Sequence, residues 1–369
     1  MRRMVVIFVL VLALGLTGCG ENNGAENGEE NGNVATPEEV TEIRIAHIAM
    51  ANTSPQAVLN EEYQVFEELM GEMDITVEWV QTRGRDGIWP MMDELEVDFV
   101  YIPSTNFSTY ITETSEFGGT DYFRLVAGSL MNNGYVLMGG PEVDAIEELD
   151  GKTVGIVNQN YMEEFLLDEQ LKKVDLRVEA MGGTVAVEHT DWMHIFWEEF
   201  EAGEYDAITA WPTNMESVKQ RVDGSKLLMN LSEGEIFGPR TPHVWFVARQ
   251  DFIEHHPEVV KQALRAHVKL TEIGLENLDS LGERAMESYD HYFQNVIEAE
   301  QYAQYPLEYF EEVWADARPA YDPHLPFMKD LYEFMTEAGY VQGKTFDQYA
   351  NLTLLNEVLA EEGLEQVRE

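Results

Sequence analysis

The 369-residue chain has a single cysteine, Cys19, and few cations: 23 Lys and Arg stand against 69 Asp and Glu, giving a formal net charge of −46. One cysteine excludes an internal disulfide and a multi-thiolate zinc site. Scarce cations argue against nucleic acid and anionic lipid surfaces as partners, because long-range repulsion must be overcome before contact forms. So large a charge strains the compact state by self-repulsion, which points to a salty habitat whose ions screen it, or else to a broad acidic surface without halophily. None of the nine histidines forms a His-x-x-x-His pair, and His189 and His194 are five residues apart across a strand-to-helix turn. No metal or cofactor is expected. Gly-rich phosphate loops, nucleophile elbows and kinase signatures are also missing. Paired carboxylates are too common in this composition to signal acid/base catalysis.

Long hydrophobic runs are missing too, apart from the leader. Arg2-Arg3 precede an apolar stretch over 4–16, which ends in Leu16-Thr17-Gly18-Cys19. A run of about 13 residues is short of the roughly 20 that cross a bilayer, so residues 1–18 read as a signal peptide. The Leu-Thr-Gly-Cys ending resembles a bacterial lipobox. It implies a lipid on Cys19 and an address on the extracytoplasmic face of a cell membrane, with an ordinary cleaved leader as the alternative. A lipidated sulfur is no longer available as a nucleophile. Losing Arg2 and Arg3 with the leader takes the charge from −46 to −48. Residues 19–41, rich in Gly, Asn and Glu, have little to bury. They read as a solvated tether spanning on the order of 25 Å.

From residue 42 onward, short apolar segments alternate with helical ones. Strands are predicted at 43–49, 75–81, 98–102, 153–157, 184–188 and 206–210. Helices are predicted from Asn52-Thr53-Ser54-Pro55 to about 70, and at 88–95, 163–171 and 193–202. This is an α/β pattern with mainly parallel sheets flanked by helices. The unit occurs twice. Glu96-Val-Asp98-Phe-Val-Tyr-Ile-Pro-Ser-Thr105-Asn106 aligns without gaps on Glu204-Tyr-Asp206-Ala-Ile-Thr-Ala-Trp-Pro-Thr213-Asn214, keeping Glu, Asp, Thr and Asn in register. Two such lobes would turn the carboxyl ends of their strands toward one cleft, where open α/β sheets bind ligands.

Three segments carry a resemblance to a known family. They are Glu148-Leu149-Asp150-Gly151-Lys152-Thr153-Val154-Gly155-Ile156, then Glu201-Ala202-Gly203-Glu204-Tyr205-Asp206-Ala207, then the run from Phe246 through Asp251-Phe252-Ile253 to His256-Pro257-Glu258. In this order they resemble the solute-binding lipoproteins of ABC importers, in the nitrate/sulfonate/taurine and thiamine-precursor group. The resemblance implies a two-lobed periplasmic-binding-protein-like fold (type II), with crossings near 132–135 and 242–245. Lobe 1 would hold 42–132 plus 246–369, its C-terminal helices packing back on it, and lobe 2 would hold 133–245. It implies a monomer that captures a small polar organic or anionic solute by closure and passes it to an ABC permease with a cytoplasmic ATPase. An enzyme related to pyrimidine synthases and a ligand-sensing lipoprotein are the alternatives. Sulfonate-type members place an acidic residue between Trp and Pro after the Asp-Ala strand, whereas here Trp211 joins Pro212 directly.

The candidate ligand contacts follow from the strand ends. Asn52, Thr53 and Ser54 lie at a helix start that favours an anionic group, and Ser104, Thr105 and Asn106 lie at the next such turn. In the second lobe Asn158, Gln159, Asn160 and Tyr161 offer amides and a ring, and Thr213 and Asn214 mirror Thr105 and Asn106. Capping and turn chemistry accounts for the same residues equally well. Trp211 and Trp245 could stack on a planar ligand or serve as packing. Arg83, Arg85 and Arg240 could clamp an anion or sit in surface ion pairs, and Asp191-Trp192 is a further rim candidate.

Overall fold

The first strand, β1 (Glu42–Ile48), lies between β2 (Thr76–Thr82) and β3 (Phe99–Pro103), parallel to both. With β4 (Phe123–Met131), β10 (Pro242–Arg249) and β11 (Arg318–Pro319) they form a six-stranded sheet in the order β11-β4-β10-β3-β1-β2. A second sheet of five strands comprises β5 (Val136–Gly139), β6 (Thr153–Val157), β7 (Ala186–Thr190), β8 (Ala207–Ala210) and β9 (Lys226–Asn230), in the order β7-β6-β8-β5-β9. This computed structural model describes residues 39–50, 53–111, 122–131, 134–157, 160–190, 193–231, 241–299, 304–341 and 345–368, and both sheets belong to one compact unit. Cys19 lies outside the described residues, and no described helix is long and apolar enough to cross a membrane.

The sequence repeat is a structural repeat. Ile45 is paired with Phe99 across β1 and β3, as Val154 is paired with Ala207 across β6 and β8. One residue earlier in each half, an aspartate ties the two parallel strands together. Asp98 accepts a bond from the Arg44 N–H at 2.8 Å, and Asp206 accepts one from the Thr153 N–H at 3.0 Å. Their own N–H groups return to the Arg44 and Thr153 carbonyls, each at 2.9 Å. The shared letters of the repeat therefore do a shared job: a carboxylate satisfies the backbone where each parallel pair begins.

The expectation of mainly parallel sheets needs correction. β3, β1 and β2 are parallel, as are β8, β6 and β7, but the next strand in each sheet, β10 beside β3 and β5 beside β8, is antiparallel. Each is the first strand after the chain arrives from the other sheet, so it needs no crossover helix and can enter reversed. A second difference is the helix predicted to run unbroken to about 70. It is two helices, Pro55–Tyr63 and Val65–Gly71, parted at Gln64 with φ of 50°. Asn60 causes the break: its Oδ1 accepts the Phe66 N–H at 2.9 Å, competing with the helical ladder.

The core of the first sheet is aromatic. Phe246 stacks on Tyr101 at 4.5 Å and on Phe99 at 5.4 Å, while the His267 ring lies parallel to it at 5.0 Å. His267 comes from the helix Pro257–Glu276, whose buried Val260, Leu264, His267 and Thr271 form one helical stripe against the sheet. Burial holds His267 neutral, with its pKa pushed down to about 3, and His47, in the same core, is held down at about 4. Both values lie below the unfolded range, so the unfolded chain takes up protons first as pH falls below about 6.5. The contribution of these two histidines should therefore be full at neutral pH and decline from about pH 6.5 toward pH 4. Thermal melts should show this decline, and His267→Gln should flatten it. Phe246→Ala should cost on the order of 3–5 kcal/mol at any pH.

Candidate functional site

Both passages of the chain between the sheets occur at one edge. The chain leaves the first sheet after Met131 and enters the second at Val136, which is paired with Ala210 at the C-terminal end of β8. It returns after Leu231 and enters the first sheet at Pro242, with Val244 paired with Pro103 at the C-terminal end of β3. The second crossing thus ends before Pro242, a few residues earlier than the predicted 242–245. Connections and carboxyl ends of parallel strands share one edge, so the groups there can both move and meet a ligand.

At this edge the helix Ser104–Tyr110, which follows β3, packs on the helix Tyr161–Leu171, which follows β6. The Ser104 hydroxyl lies 2.9 Å from the Pro242 carbonyl, 3.1 Å from the His243 carbonyl and 3.1 Å from Met162 Sδ. It joins both helices to the start of β10. Tyr135, in the other connection, is buried beside it, with its ring 5.5 Å from His243. Burial, and then the carboxyl of Glu163, raise the Tyr135 pKa, while the Ser104 and Thr105 hydroxyls pull it back.

Glu163 lies at the centre of this junction, 1% exposed. Asn160 caps the helix by accepting the Glu163 N–H at 3.4 Å and donates its amide to Glu163 Oε1 at 2.5 Å. The Thr209 hydroxyl of β8 donates to the other carboxyl oxygen. Burial, only partly offset by Thr209, pushes the Glu163 pKa up to about 8. Glu163 also lines a cavity of about 10 Å³, room for a single water, with Phe196, Trp197, Thr209, Trp211 and Asn214. Its neighbour Glu164 turns elsewhere, to His189 Nε2 at 2.8 Å and to the Tyr340 hydroxyl at 2.9 Å.

The C-terminal segment does not pack on the first sheet alone. Tyr340 stacks on Tyr161 at 4.2 Å, and Phe327 and Phe334 of the helix Leu325–Glu337 lie 5.6 and 5.5 Å from Phe165. Elsewhere Tyr309 donates to the Pro212 carbonyl at 2.6 Å, and the Tyr305 hydroxyl meets Ser217 at 2.6 Å. The C-terminal helices, expected to pack back on the first lobe, thus also touch elements that follow strands of the second sheet. Tyr161, Phe165 and the turn at 212–217 present aromatic and polar partners to them.

The predicted contacts divide into three groups. Asn160, Trp211 and Asn214 gather around Glu163 and its pocket, and Ser104 and Thr105 lie at the adjoining junction, with Asn106 half-buried beside them. Ser54 is wholly buried at the C-terminal edge of β1, and its hydroxyl has no partner among the described residues. Thr53, Tyr161 and Trp245 are occupied by packing. Thr53 donates toward the Met50 carbonyl at 3.0 Å, and Tyr161 is held between Tyr340 and His189. Trp245 is fully buried, edge-on to Phe107 at 6.0 Å, because its register opposite Ile102 points it into the core instead of the mouth. Asn52, Asn158, Gln159, Asp191, Trp192 and Arg240 lie outside the described residues, as do the side chains of Arg85, His194 and Thr213. Arg83 is exposed. Glu163 is the residue the sequence reading missed. Its signal was the capping-box spacing Asn160-Tyr161-Met162-Glu163, one acidic pair among many in so acidic a chain.

This architecture can be compared with known proteins. Residues 128–277 match the family model described as NMT1/THI5 like. The periplasmic sulfonate-binding protein SsuA from Methylobacillus flagellatus KT superposes with a TM-score of 0.63 at 16% identity, covering 90% of this chain and 99% of that one. The aliphatic sulphonate-binding protein SsuA from Escherichia coli gives 0.60 at 12% identity, covering 84% and 92%. The nitrate-binding protein NrtA from Synechocystis PCC 6803 gives 0.59 at 13%, covering 88% and 89%. A search of curated protein sequences finds no match. The fold is that of the periplasmic binding proteins.

The raised pKa of Glu163 has a consequence for stability. Its folded value near 8 exceeds the unfolded carboxylate value, so the folded state holds the extra proton between roughly pH 4.5 and pH 8. That contribution is full below this window and is lost as pH rises through it. The melting temperature should fall between pH 6 and pH 9, and Glu163→Gln, which cannot ionise, should shrink the fall. An equal fall in both proteins would show that Glu163 is ionised in the fold at neutral pH.

Proposed function

We propose that the chain is the extracytoplasmic solute-binding lipoprotein of an ABC importer, tethered through Cys19 and taking a small polar solute between two lobes that close around it. The observation that carries this reading is the coincidence at one edge of both inter-sheet connections, the carboxyl ends of the two repeated parallel units and a cluster of polar and aromatic side chains, Ser104, Asn160, Thr209, Trp211 and Asn214. Reversible capture needs hydrogen-bonding groups, an apolar wall and a hinge, and the polar side chains, the aromatic residues and the two connections of this edge support that reading. The lobes are 42–132 with 242–369, and 133–241, the C-terminal segment touching both. Ser54, Ser104, Thr105, Asn106, Asn160, Trp211 and Asn214 are the proposed contacts, joined by Asn52, Asn158, Gln159 and Thr213 of the adjoining turns. The structural relatives bind sulfonate and nitrate, and these, with thiamine-related pyrimidines, are the first solutes to test. A permease with its cytoplasmic ATPase would receive the solute, with the binder acting as a monomer.

Native mass spectrometry of the purified chain should reveal a copurified small molecule. Thermal shift with alkanesulfonates, taurine, nitrate and aminopyrimidines should then identify a stabilising class, since a solute at 100 times its Kd adds about 2.7 kcal/mol to the folded state. Absence of both a copurified molecule and any stabilising solute would overturn the reading. Ser54 separates binding from folding. Its hydroxyl has no partner among the described residues, so Ser54→Ala should leave the unliganded melting temperature equal or higher while weakening the solute about tenfold.

A further inference from the structure

Beyond β10 the chain makes a third excursion from the first sheet to the second half, and it is stitched to β4 at both ends. On departure Arg318 and Pro319 are paired with Met131 and Leu130, the Ala320 N–H donates to the Ser129 carbonyl at 2.9 Å, and the Gly128 N–H donates to the Tyr321 carbonyl at 2.8 Å. The approach is so close that a Cβ on Gly128 would run into the Asp322 carbonyl. On return the Leu125 N–H donates to the Tyr349 carbonyl at 2.7 Å, and the Asn351 N–H donates to the Leu125 carbonyl at 2.9 Å. Between these points the helix Leu325–Glu337 packs on the helix Tyr161–Leu171 of the second half, through Phe327 and Phe334 on Phe165. Tyr340 follows, stacked on Tyr161, its hydroxyl 2.9 and 3.0 Å from the two carboxyl oxygens of Glu164. A second fastening comes from the helix Leu307–Val313. Phe310 and the adjoining Trp314 are buried among Leu130, Val244 and Leu281 of the first half, while Tyr309 donates to the Pro212 carbonyl and the Tyr305 hydroxyl meets Ser217, both at 2.6 Å.

Two connections define a hinge and leave the halves free to turn about it. Contacts made by a third segment restrain that turn. Here they fall on the two turns that carry the candidate contacts of the second half: Asn160 caps the helix that holds Glu164, and Trp211 and Asn214 flank Pro212. Glu164 is 1% exposed, so the Tyr340 hydroxyl donates to a carboxyl that has little water to turn to. We propose that residues 304–341 are a strap that sets the angle between the two halves independently of any bound solute, with Tyr309 and Tyr340 as its positioning residues. Any change of angle during capture must break or carry these contacts, so the strap resists the motion that a solute drives. It concerns the halves alone, and it bears on capture only through the solute-binding reading above.

The test is a pulsed spin-label distance in the full chain with Cys19 replaced by serine, labelled at Glu94 in the first half and Lys219 in the second, both exposed. The protein is dialysed until native mass spectrometry shows no small molecule bound. Tyr309→Phe and Tyr340→Phe keep the rings and remove one hydroxyl each. Together they should widen the distance distribution about twofold relative to the unsubstituted strap, with circular dichroism reporting whether the fold is intact. If the double variant does not fold, Tyr309→Phe alone should still widen it, because losing a bond to a neutral carbonyl leaves no charged group unpaired. A merely structural role would lower the melting temperature without moving the distribution, and a width that is unchanged or smaller in the variants would overturn the proposal. The solute-binding reading fails separately, on the copurified-molecule and solute-panel measurements, and neither of those results alters this one.

Discussion

The first sheet is completed by two separate stretches of chain, β1 to β4 and then β10 and β11, with the whole second sheet, β5 to β9, inserted between them. Each sheet contains a parallel unit, β3-β1-β2 or β8-β6-β7, and the position beside it is filled by β10 or β5, the strand that has just arrived from the other sheet. This exchange places both connections beside the carboxyl ends of the parallel strands. The geometry of the junction follows from it: Ser104 clasps the start of β10, Tyr135 lies in the other connection, and the two helices that follow β3 and β6 meet there.

The helix Tyr161–Leu171 shows how a very acidic chain handles carboxylates in its interior. Asp168, fully buried, is held by a two-pronged Arg177 contact, with bonds of 2.8 and 2.8 Å, and by the Val178 N–H at 3.1 Å. Glu164 has a histidine and a tyrosine hydroxyl. Glu163 has neutral donors only and takes up a proton instead. The first two arrangements are structural, fastening a loop and the C-terminal segment to the helix. The third holds a neutral, hydrogen-bonded acid at the junction of the two repeated units, a perturbed group of the kind that clusters at functional sites.

Much of this was legible in the sequence, and the rest was hidden for physical reasons. Periodicity located the six parallel strands to within two residues. The Glu96 and Glu204 segments revealed the repeat because Asp98 and Asp206 perform the same backbone task. The antiparallel strands were not legible: Val136–Gly139 and Pro242–Arg249 are short and buried, and direction in a sheet is set by where the chain comes from, which local pattern does not record. Trp245 stayed open between stacking and packing because a tryptophan near a chain crossing reads alike in core and cleft, and its register opposite Ile102 places it in the core. Glu163 was overlooked because spacing carries little information among 69 acids, whereas burial singles it out. The bridging roles of Tyr309 and Tyr340 depend on contacts across 97 and 176 residues of sequence, beyond any local signal.

The central claim is that the two sheet-centred halves close around a solute at their shared edge. The most direct measurement is a pulsed spin-label distance between the end of the helix Arg85–Asp93, at Glu94, and the helix Met215–Arg221, at Lys219, both exposed positions, in a chain whose Cys19 is replaced by serine. Saturation with the solute identified by native mass spectrometry should shorten and narrow the distance distribution relative to the unliganded protein. A solute that binds at full occupancy and leaves the distribution unchanged would contradict the account.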